Sequence, residues 1–289
     1  MPLIEPIIRP PAEADSLLLQ ITTGCSANTC TFCPAYIGKP FKLIDSEVVY
    51  NDIRAAAKRF PETRKIFLLD GDVLVLSNTR LMPILELINE SFPHLSRIAS
   101  YANGQNIEAK SDEDLAQLVS LKLNLIYIGL ESGSQEILTK CNKRATVEQM
   151  ITAVNRAAAV GIKSSVMLLL GLGGKEHSAE HVEQSIIALN KMQPRYLSFL
   201  SLMLVEGTPL FDDLESGVFE ELGSNELLQE SHDIIQGLEL NKTIFRSNHA
   251  SNYLSLEGRF PKDKALLLAQ LRAGLEGKLH LRPEFFRGL

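Results

Sequence analysis

The stretch Leu17-Leu-Leu-Gln-Ile-Thr22 runs directly into Thr23-Gly-Cys-Ser-Ala-Asn-Thr-Cys-Thr-Phe-Cys-Pro34. Its first six residues form a mainly apolar run, which predicts a buried β-strand. Three of the four cysteines in the chain, Cys25, Cys30 and Cys33, follow within nine residues. A disulfide framework would spread cysteines along the chain, so this clustering indicates metal or redox chemistry on a loop after a strand.

Apolar runs continue to alternate with helical periodicity up to about residue 210. We predict strands over 17–22, 65–69, 97–101, 125–130, 162–170 and 196–204, and helices over 46–60, 78–91, 112–121, 146–160 and 177–191. This alternation predicts parallel strands joined by right-handed crossovers. Six strands are two short of a closed eight-fold barrel, so the predicted fold class is α/β, a partial (β/α)6 TIM-like barrel. Active sites of such sheets lie at the carboxyl ends of the strands.

The pattern changes after residue 210. We predict helices over 222–238 and 263–275, and the polar stretch 241–259 suggests irregular structure. The predicted organisation is therefore a barrel over 1–210 and a helical and irregular C-terminal extension over 211–289. We expect this extension to cover the barrel and to contribute to the substrate site.

The composition is that of an ordinary globular protein, with 45% apolar and 22% charged residues and a net charge of −6. Nothing in it favours a nucleic-acid partner, which a basic face would indicate. The longest apolar run lies within 166–172, too short for a membrane span. The first residues contain prolines and acids where a signal peptide needs a basic start. We therefore expect a cytoplasmic protein with no membrane partner.

Three thiolates on one short loop can ligate three irons of a cubane cluster and leave the fourth iron open. An open position is typical of a reactive metal centre, whereas structural sites are closed. Two alternatives stay open at this point. The loop could belong to a zinc-stabilised binding module, although zinc usually has four ligands, or to a non-catalytic iron–sulfur redox or sensor protein.

The cysteine loop, with Phe32 just before its last cysteine, resembles the signature of the radical S-adenosylmethionine superfamily. Four residues separate Cys25 from Cys30, where the family usually has three. The resemblance implies a [4Fe-4S] cluster whose open iron chelates S-adenosylmethionine. It also implies reductive cleavage to a 5′-deoxyadenosyl radical, which abstracts hydrogen from a small organic substrate. An electron donor such as flavodoxin or ferredoxin would then be a partner.

Several strand ends resemble cosubstrate-binding segments of this family. The segment 129–134 is similar to that of the branch that includes the methylthiotransferases and the oxygen-independent coproporphyrinogen dehydrogenase. Asp70, Gly71 and Asp72 stand where the family binds the cosubstrate ammonium. Lys143 aligns with an arginine that pairs with its carboxylate. The resemblance further implies cofactor contacts for Phe32 near the adenine and for Ser100, Glu131, Ser165 and Leu204.

Substrate contacts are predicted mainly in the C-terminal extension, because 245–253 is dense in hydrogen-bonding side chains. His249 could act as an acid, a base or a ligand, since the pKa of histidine lies near neutrality. Cys141 stands alone, so a second cluster is not expected. The predicted substrate residues are Asn103 after the third strand, then Asn248, His249, Asn252 and Tyr253.

Overall fold

The computed structural model describes residues 3–288, so Met1, Pro2 and Leu289 lie outside the described residues. The chain divides into two compact units, each built from three segments. The first unit comprises Met1–Asn28, Ala35–Ile128 and Ala153–Ser164, and the second comprises Thr29–Pro34, Gly129–Thr152 and Ser165–Leu289. The division at residue 210 stays a prediction.

Four parallel strands form the sheet of the first unit. In chain order its elements are β1 (Leu17–Gln20), β2 (Thr22–Thr23), β3 (Lys42–Leu43), α1 (Ser46–Arg59), β4 (Lys65–Leu69), α2 (Asn78–Ser91), β5 (Arg97–Tyr101), α3 (Gly104–Glu108), α4 (Asp112–Ser120) and the larger part of β6 (Leu123–Glu131). Strands β1, β4, β5 and β6 are neighbours in that order. The last four residues of β4 are buried on both faces of the sheet, as the apolar run predicts.

The predicted strand over 17–22 is wrong at its end. Strand β1 stops at Gln20, and Thr22–Thr23 pairs in antiparallel fashion with Lys42–Leu43 in a separate two-stranded sheet. Strand β1 ends at Gln20 because the backbone groups of the next residues bond to β3 and to the residue after it. One such bond runs from Ile44 N to Ile21 O (3.2 Å). Helix α1 is capped by Asp45, whose carboxylate accepts from Glu47 N.

The remaining elements lie wholly or partly in the second unit. They are α5 (Gln135–Lys140), α6 (Val147–Ala159), β7 (Lys163–Leu170), α7 (Gly174–Met192), β8 (Tyr196–Ser201), α8 (Pro209–Glu215), α9 (Ser224–Gly237), β9 (Ile244–Ser247), β10 (Leu256–Arg259) and α10 (Lys264–Leu275). Strands β7, β8 and β9 pair in parallel, and β10 is antiparallel to β9. Both units are therefore α/β, with mostly parallel strands, as predicted.

The prediction of irregular structure over 241–259 is wrong, because this stretch contains β9 and β10. Phe245 of β9 is fully buried and packs edge-on against Phe199 of β8, with ring centroids 4.9 Å apart. The neighbouring Arg246 is exposed. The C-terminal segment thus extends the sheet of the second unit, and the burial of aromatic rings stabilises that extension.

Candidate active site

The cysteine loop begins directly after β2, and its first half is held in the first unit. Gly24 N donates to the carboxylate of Asp70 (2.9 Å), and Gly71 N donates to Gly24 O (3.0 Å). Gly24 has a φ of +68°, and a Cβ added there would lie 2.5 Å from Lys39 O. Only glycine fits this position, so the backbone that leads into Cys25 is closely defined.

The second half of the loop, Thr29–Pro34, is held in the second unit by main-chain bonds. Thr31 N donates to Cys141 O (3.0 Å), and Leu210 N donates to Thr31 O (3.1 Å). Within the loop, Cys33 N donates to Cys30 O (3.2 Å). These bonds fix a tight turn that places two cysteines three residues apart on one ordered segment.

The four cysteines differ in environment. Cys25, Cys30 and Cys33 are partly exposed, whereas Cys141 is buried. Burial raises the pKa of the Cys141 thiol to about 11. Metal ligation needs thiolates. The loop cysteines therefore suit an iron–sulfur cluster as a set of three donors, and Cys141 does not suit it as a fourth.

Phe32 and Leu204 pack against the same apolar cluster in the second unit. The buried members of this cluster are Ile137, Cys141, Leu172, Leu202 and Leu210, and the partly buried residues against it include Leu169 and Phe219. Two residues with predicted cofactor contacts thus lie against one apolar cluster. Cys141 belongs to that surface as a packing residue, at the end of α5.

Asp70 is fully buried, and its carboxylate is occupied by the protein. Lys39 Nζ lies 3.0 Å from it, and Gln20 Nε2 also donates to it at 3.0 Å. Lys39 additionally donates to the carbonyls of Ile4 and Pro6 (2.7 and 2.9 Å). The side chain of Asp70 therefore ties together the N-terminal segment and the start of the cysteine loop. Its backbone, at a φ of +70°, follows β4.

Asp72 has a different environment, although it is also fully buried. Its carboxylate accepts from Leu74 N (3.0 Å), from Asn106 Nδ2 and, more weakly, from Ser26 Oγ (3.4 Å). Burial raises the pKa of Asp72 to about 7, and the hydrogen bonds lower it in part. The hydrogen bonds to Asp72 thus come from neutral donors, whereas Asp70 is paired with the cation of Lys39.

Glu131 and Lys143 are brought together in the second unit. Lys143 Nζ lies 3.2 Å from Glu131 Oε1, and both side chains are mostly buried. Glu131 has a φ of +64°, and Ser132 N donates to Leu130 O (2.8 Å) across it. A Cβ on Gly129 would lie 1.8 Å from Glu131 Oε1. Because residue 129 is glycine, the carboxylate of Glu131 has room to lie against the backbone of β6 at that position.

The two predicted serines occupy strands in different units. Ser100 lies in β5 with no exposed surface, and its hydroxyl has no hydrogen-bond partner within residues 3–288. Buried hydroxyls normally have partners, so this one fits a polar group that the protein itself does not supply. Ser165 lies in β7, where it is buried and opposite Tyr196 of β8.

The predicted substrate residues have contacts of several kinds. Asn103 caps α3 by accepting from Gln105 N (3.2 Å), and Asn248 donates to Glu257. Asn252 is buried and uses its whole amide within the fold, accepting from Ser201 Oγ and donating to Phe199 O and Ser247 Oγ. These contacts favour a structural role for Asn252.

His249 and Tyr253 remain partly exposed. Burial, and next to it the charge of Arg282, lowers the pKa of His249. Tyr253 donates to Glu284 and accepts from Arg287 Nη1 (2.9 Å). Both side chains can still offer a polar atom to a ligand.

Two arginines, Arg282 and Arg287, hold the 248–253 loop. Arg282 donates to the carbonyls of His249, Ala250 and Asn252 (3.1, 2.6 and 2.9 Å). Arg287 donates to Ser251 O (2.7 Å) and to Leu202 O (3.0 Å). Arg287 therefore connects this loop with the residue that follows β8. No local sequence signal marks these contacts, because their acceptors are main-chain carbonyls.

The family of the chain follows from a match to the Radical SAM superfamily over residues 19–186, which is more than half of the chain. The chain belongs to this superfamily, whose members use S-adenosylmethionine and an iron–sulfur cluster. The expectation drawn from the cysteine loop is thereby confirmed at the level of the superfamily.

The relatives of the chain include the heme chaperone HemW of Bacillus subtilis (strain 168). It is 24% identical over 158 residues, which cover 54% of this chain and 41% of that protein. This chain thus matches less than half the length of that relative.

Several solved structures share the fold. Methylornithine synthase (PylB) matches with a TM-score of 0.57 and 15% identity, over 89% of this chain and 68% of that one. Coproporphyrinogen III oxidase (HemN) from Escherichia coli, described as a radical SAM enzyme, matches with a TM-score of 0.56 and 15% identity, over 76% of this chain and 52% of that one. The predicted fold class, an α/β fold of the partial-barrel type, is confirmed.

Helices long and apolar enough to cross a membrane do not occur between residues 3 and 288.

Proposed function

We propose that this chain is a radical S-adenosylmethionine enzyme whose [4Fe-4S] cluster is held by Cys25, Cys30 and Cys33. The observation that carries this proposal is the contrast among its four cysteines. Three are partly exposed on one ordered loop, and the fourth is buried with a pKa of about 11. Three thiolate donors leave one iron of a cubane without a protein ligand.

Held by these cysteines, the cluster would supply one electron for the cleavage of S-adenosylmethionine to methionine and a 5′-deoxyadenosyl radical, which would abstract hydrogen from a small organic substrate. The residues of the chain bind and orient the cosubstrate. In the second unit, Phe32 and Leu204 offer an apolar surface to the adenine. Lys143 offers its positive charge to the carboxylate, and Glu131 holds Lys143 in place.

In the first unit, Asp72 receives the ammonium group of the cosubstrate. A cation beside this buried carboxyl favours its ionised form and offsets the effect of burial. Gly71 allows close approach of the backbone, and Asp70 contributes its carbonyl because its carboxylate is already paired with Lys39. Ser100 and Ser165 offer hydroxyl groups to the ribose. The electron comes from a donor of the flavodoxin or ferredoxin type.

The substrate is a small organic molecule bound near the 248–253 loop. Asn248, His249 and Tyr253 offer polar groups for its recognition, and Asn103 is a further predicted contact. Asn252 contributes by holding the loop to β8.

Anaerobic reconstitution with iron and sulfide, followed by dithionite and S-adenosylmethionine, tests this function. We expect a brown protein with about four irons per chain that releases 5′-deoxyadenosine. Cys30→Ala should lose both the cluster and the cleavage, and the matched control Cys141→Ala should keep both. A brown protein inert to S-adenosylmethionine would indicate a redox or sensor protein, and a colourless protein with tightly bound zinc would indicate a binding module. Either result would refute the proposal.

A further inference from the structure

Three polar side chains, Ser132, His181 and Glu230, form a buried network in the second unit. His181 Nδ1 lies 2.8 Å from Ser132 Oγ, and His181 Nε2 lies 3.4 Å from Glu230 Oε1. Ser132 and His181 have no exposed surface, and Glu230 is 2% exposed. The three residues come from the turn after β6, from α7 and from α9, so one histidine links three elements.

This network ends on the backbone of two turns. Ser132 Oγ accepts from Ser134 N (3.1 Å), and Glu230 Oε1 accepts from Gly171 N (2.7 Å). The second carboxylate oxygen of Glu230 accepts from Ser178 Oγ of α7 (2.6 Å). The turns at 131–134 and 171–174 follow β6 and β7, so both lie at the carboxyl ends of parallel strands, where active sites of this fold are built.

The charge state of the network follows from its burial. Burial lowers the pKa of His181 to about 4, so the imidazole is neutral at physiological pH. Ser132 Oγ already accepts from Ser134 N, so its hydroxyl is free to donate to His181 Nδ1. The remaining ring proton then sits on Nε2 and faces Glu230. This tautomer places a ring proton beside the carboxylate of Glu230, although the 3.4 Å separation of His181 Nε2 and Glu230 Oε1 is longer than that of an ordinary hydrogen bond.

The turn that the network holds is strained. Glu131 has a φ of +64°, and a bond from Ser132 N to Leu130 O closes a three-residue turn around it. This conformation is rare for a residue other than glycine, and it persists only where the surroundings determine it. Ser132, the next residue, is the one that His181 fixes. Gly133 N also donates to Ser185 Oγ of α7 (2.9 Å), so successive residues of the turn are held by the same helix.

We propose that His181 and Glu230 are positioning residues that hold Glu131 in its strained conformation, and thereby set the affinity of Lys143 for the carboxylate of S-adenosylmethionine. This inference rests on the proposed function for the role of Lys143. The coupling of the two turns stands on the contacts of the network alone. A purely apolar residue at 181 would fill the space but would leave Ser132 without its partner, which is costly for a buried hydroxyl.

Hydrogen–deuterium exchange of the ligand-free protein tests the positioning role directly. His181→Leu should speed exchange in peptides covering 129–135 by about tenfold, the effect of losing one buried hydrogen bond. His181→Asn, which can accept from Ser132, should restore much of the protection. Leu267→Ala, a core truncation in α10, is the control for general destabilisation. Unchanged exchange in His181→Leu, or an equal increase in Leu267→Ala, would overturn the inference.

Equilibrium binding of S-adenosylmethionine to the reconstituted protein tests whether the network affects the affinity for this cosubstrate. We expect about tenfold weaker binding in His181→Leu and near wild-type binding in Leu267→Ala. Equal affinity in His181→Leu and wild type would refute the link to Lys143. If the wild-type protein binds no S-adenosylmethionine, the proposed function fails, and the exchange experiment still decides the positioning role. If His181→Leu does not fold, Ser132→Ala removes the same hydrogen bond with less change in volume.

Discussion

The ammonium of Lys143 lies 3.2 Å from the carboxylate of Glu131, and both side chains are mostly withdrawn from solvent. Glu131 ends β6, and Lys143 follows the short helix α5. An exposed pair of this kind would contribute little to stability or binding. Because this pair is mostly buried, its lysine is held in one place by its partner and can be presented to an anionic group.

Lys143→Met should weaken the binding of S-adenosylmethionine by about tenfold to a hundredfold, because a charge-assisted hydrogen bond is lost. Lys143→Arg keeps the positive charge and should lose less affinity for S-adenosylmethionine than Lys143→Met. Equilibrium dialysis with the reconstituted protein measures both. Lys191→Met serves as a control at an exposed lysine of α7. Tight binding by Lys143→Met would show that the carboxylate is recognised elsewhere.

Gly71→Ala should lower the iron content of the reconstituted protein. A Cβ at this position would lie 2.6 Å from the Cβ of Cys25 and 2.9 Å from its sulfur, so the cysteine must move. Gly288→Ala, where an added Cβ meets no atom within 4 Å, is the matched control. Iron analysis after anaerobic reconstitution checks the outcome, and equal iron in both variants would argue against Cys25 as a ligand.

Lys39→Met should destabilise the protein by about 3 to 5 kcal/mol, because it leaves the carboxylate of Asp70 buried without its cation. The double variant Lys39→Met with Asp70→Asn should recover part of this loss. Lys58→Met, at an exposed position of α1, should change stability by less than about 0.5 kcal/mol. Urea denaturation measures all three. A loss for Lys39→Met no larger than that for Lys58→Met would contradict the buried ion pair.

Glu230→Gln should become more stable relative to wild type as the pH rises. Burial raises the pKa of Glu230 from 4.5 to about 7, so between these values the unfolded chain has released a proton that the folded chain retains. The folded state therefore loses stability across this range, by at most about 3 kcal/mol. The lowered pKa of His181 acts in the opposite direction, but both proteins contain it.

Thermal unfolding at about pH 5 and about pH 8 checks this difference, since the two values bracket most of the titration. Glu221→Gln, at an exposed carboxyl, is the control and should show no such trend. A difference between Glu230→Gln and wild type that does not change with pH would mean that Glu230 ionises normally in the folded protein.

The sequence predicts β1, β4, β5, β6, β7 and β8 because each is a mainly apolar segment that alternates with a helical one. Strands β9 and β10 were not predicted, and the reason is physical. In Ile244–Ser247 buried and exposed residues alternate over only four positions, and the second buried one is a serine. Such short segments become strands because β8 offers a partner edge to β9, and β9 offers one to β10, which no local pattern can indicate.

The residues of the candidate site also differ in whether a local sequence pattern marks them. The cysteine loop and the strand-end segments are local patterns and could be found. The pairing of Lys39 with Asp70 joins residues 31 positions apart, and the contact of His181 with Ser132 joins residues 49 apart. The sequence does contain an indication that Glu230 is buried, because this residue falls on the apolar face of α9 between Leu227 and Ile234. A carboxyl on an apolar face indicates a buried polar contact.

In the proposed function, Cys25, Cys30 and Cys33 leave one iron open for S-adenosylmethionine. Electron–nuclear double resonance on the reduced protein, with 15N in the amino group of the methionine moiety, would detect binding at that iron. We predict a 15N coupling that appears only when the labelled compound is added, and that is kept in Cys141→Ser. A reduced cluster whose spectrum is unchanged by the labelled compound, or a protein that binds no iron, would contradict the claim.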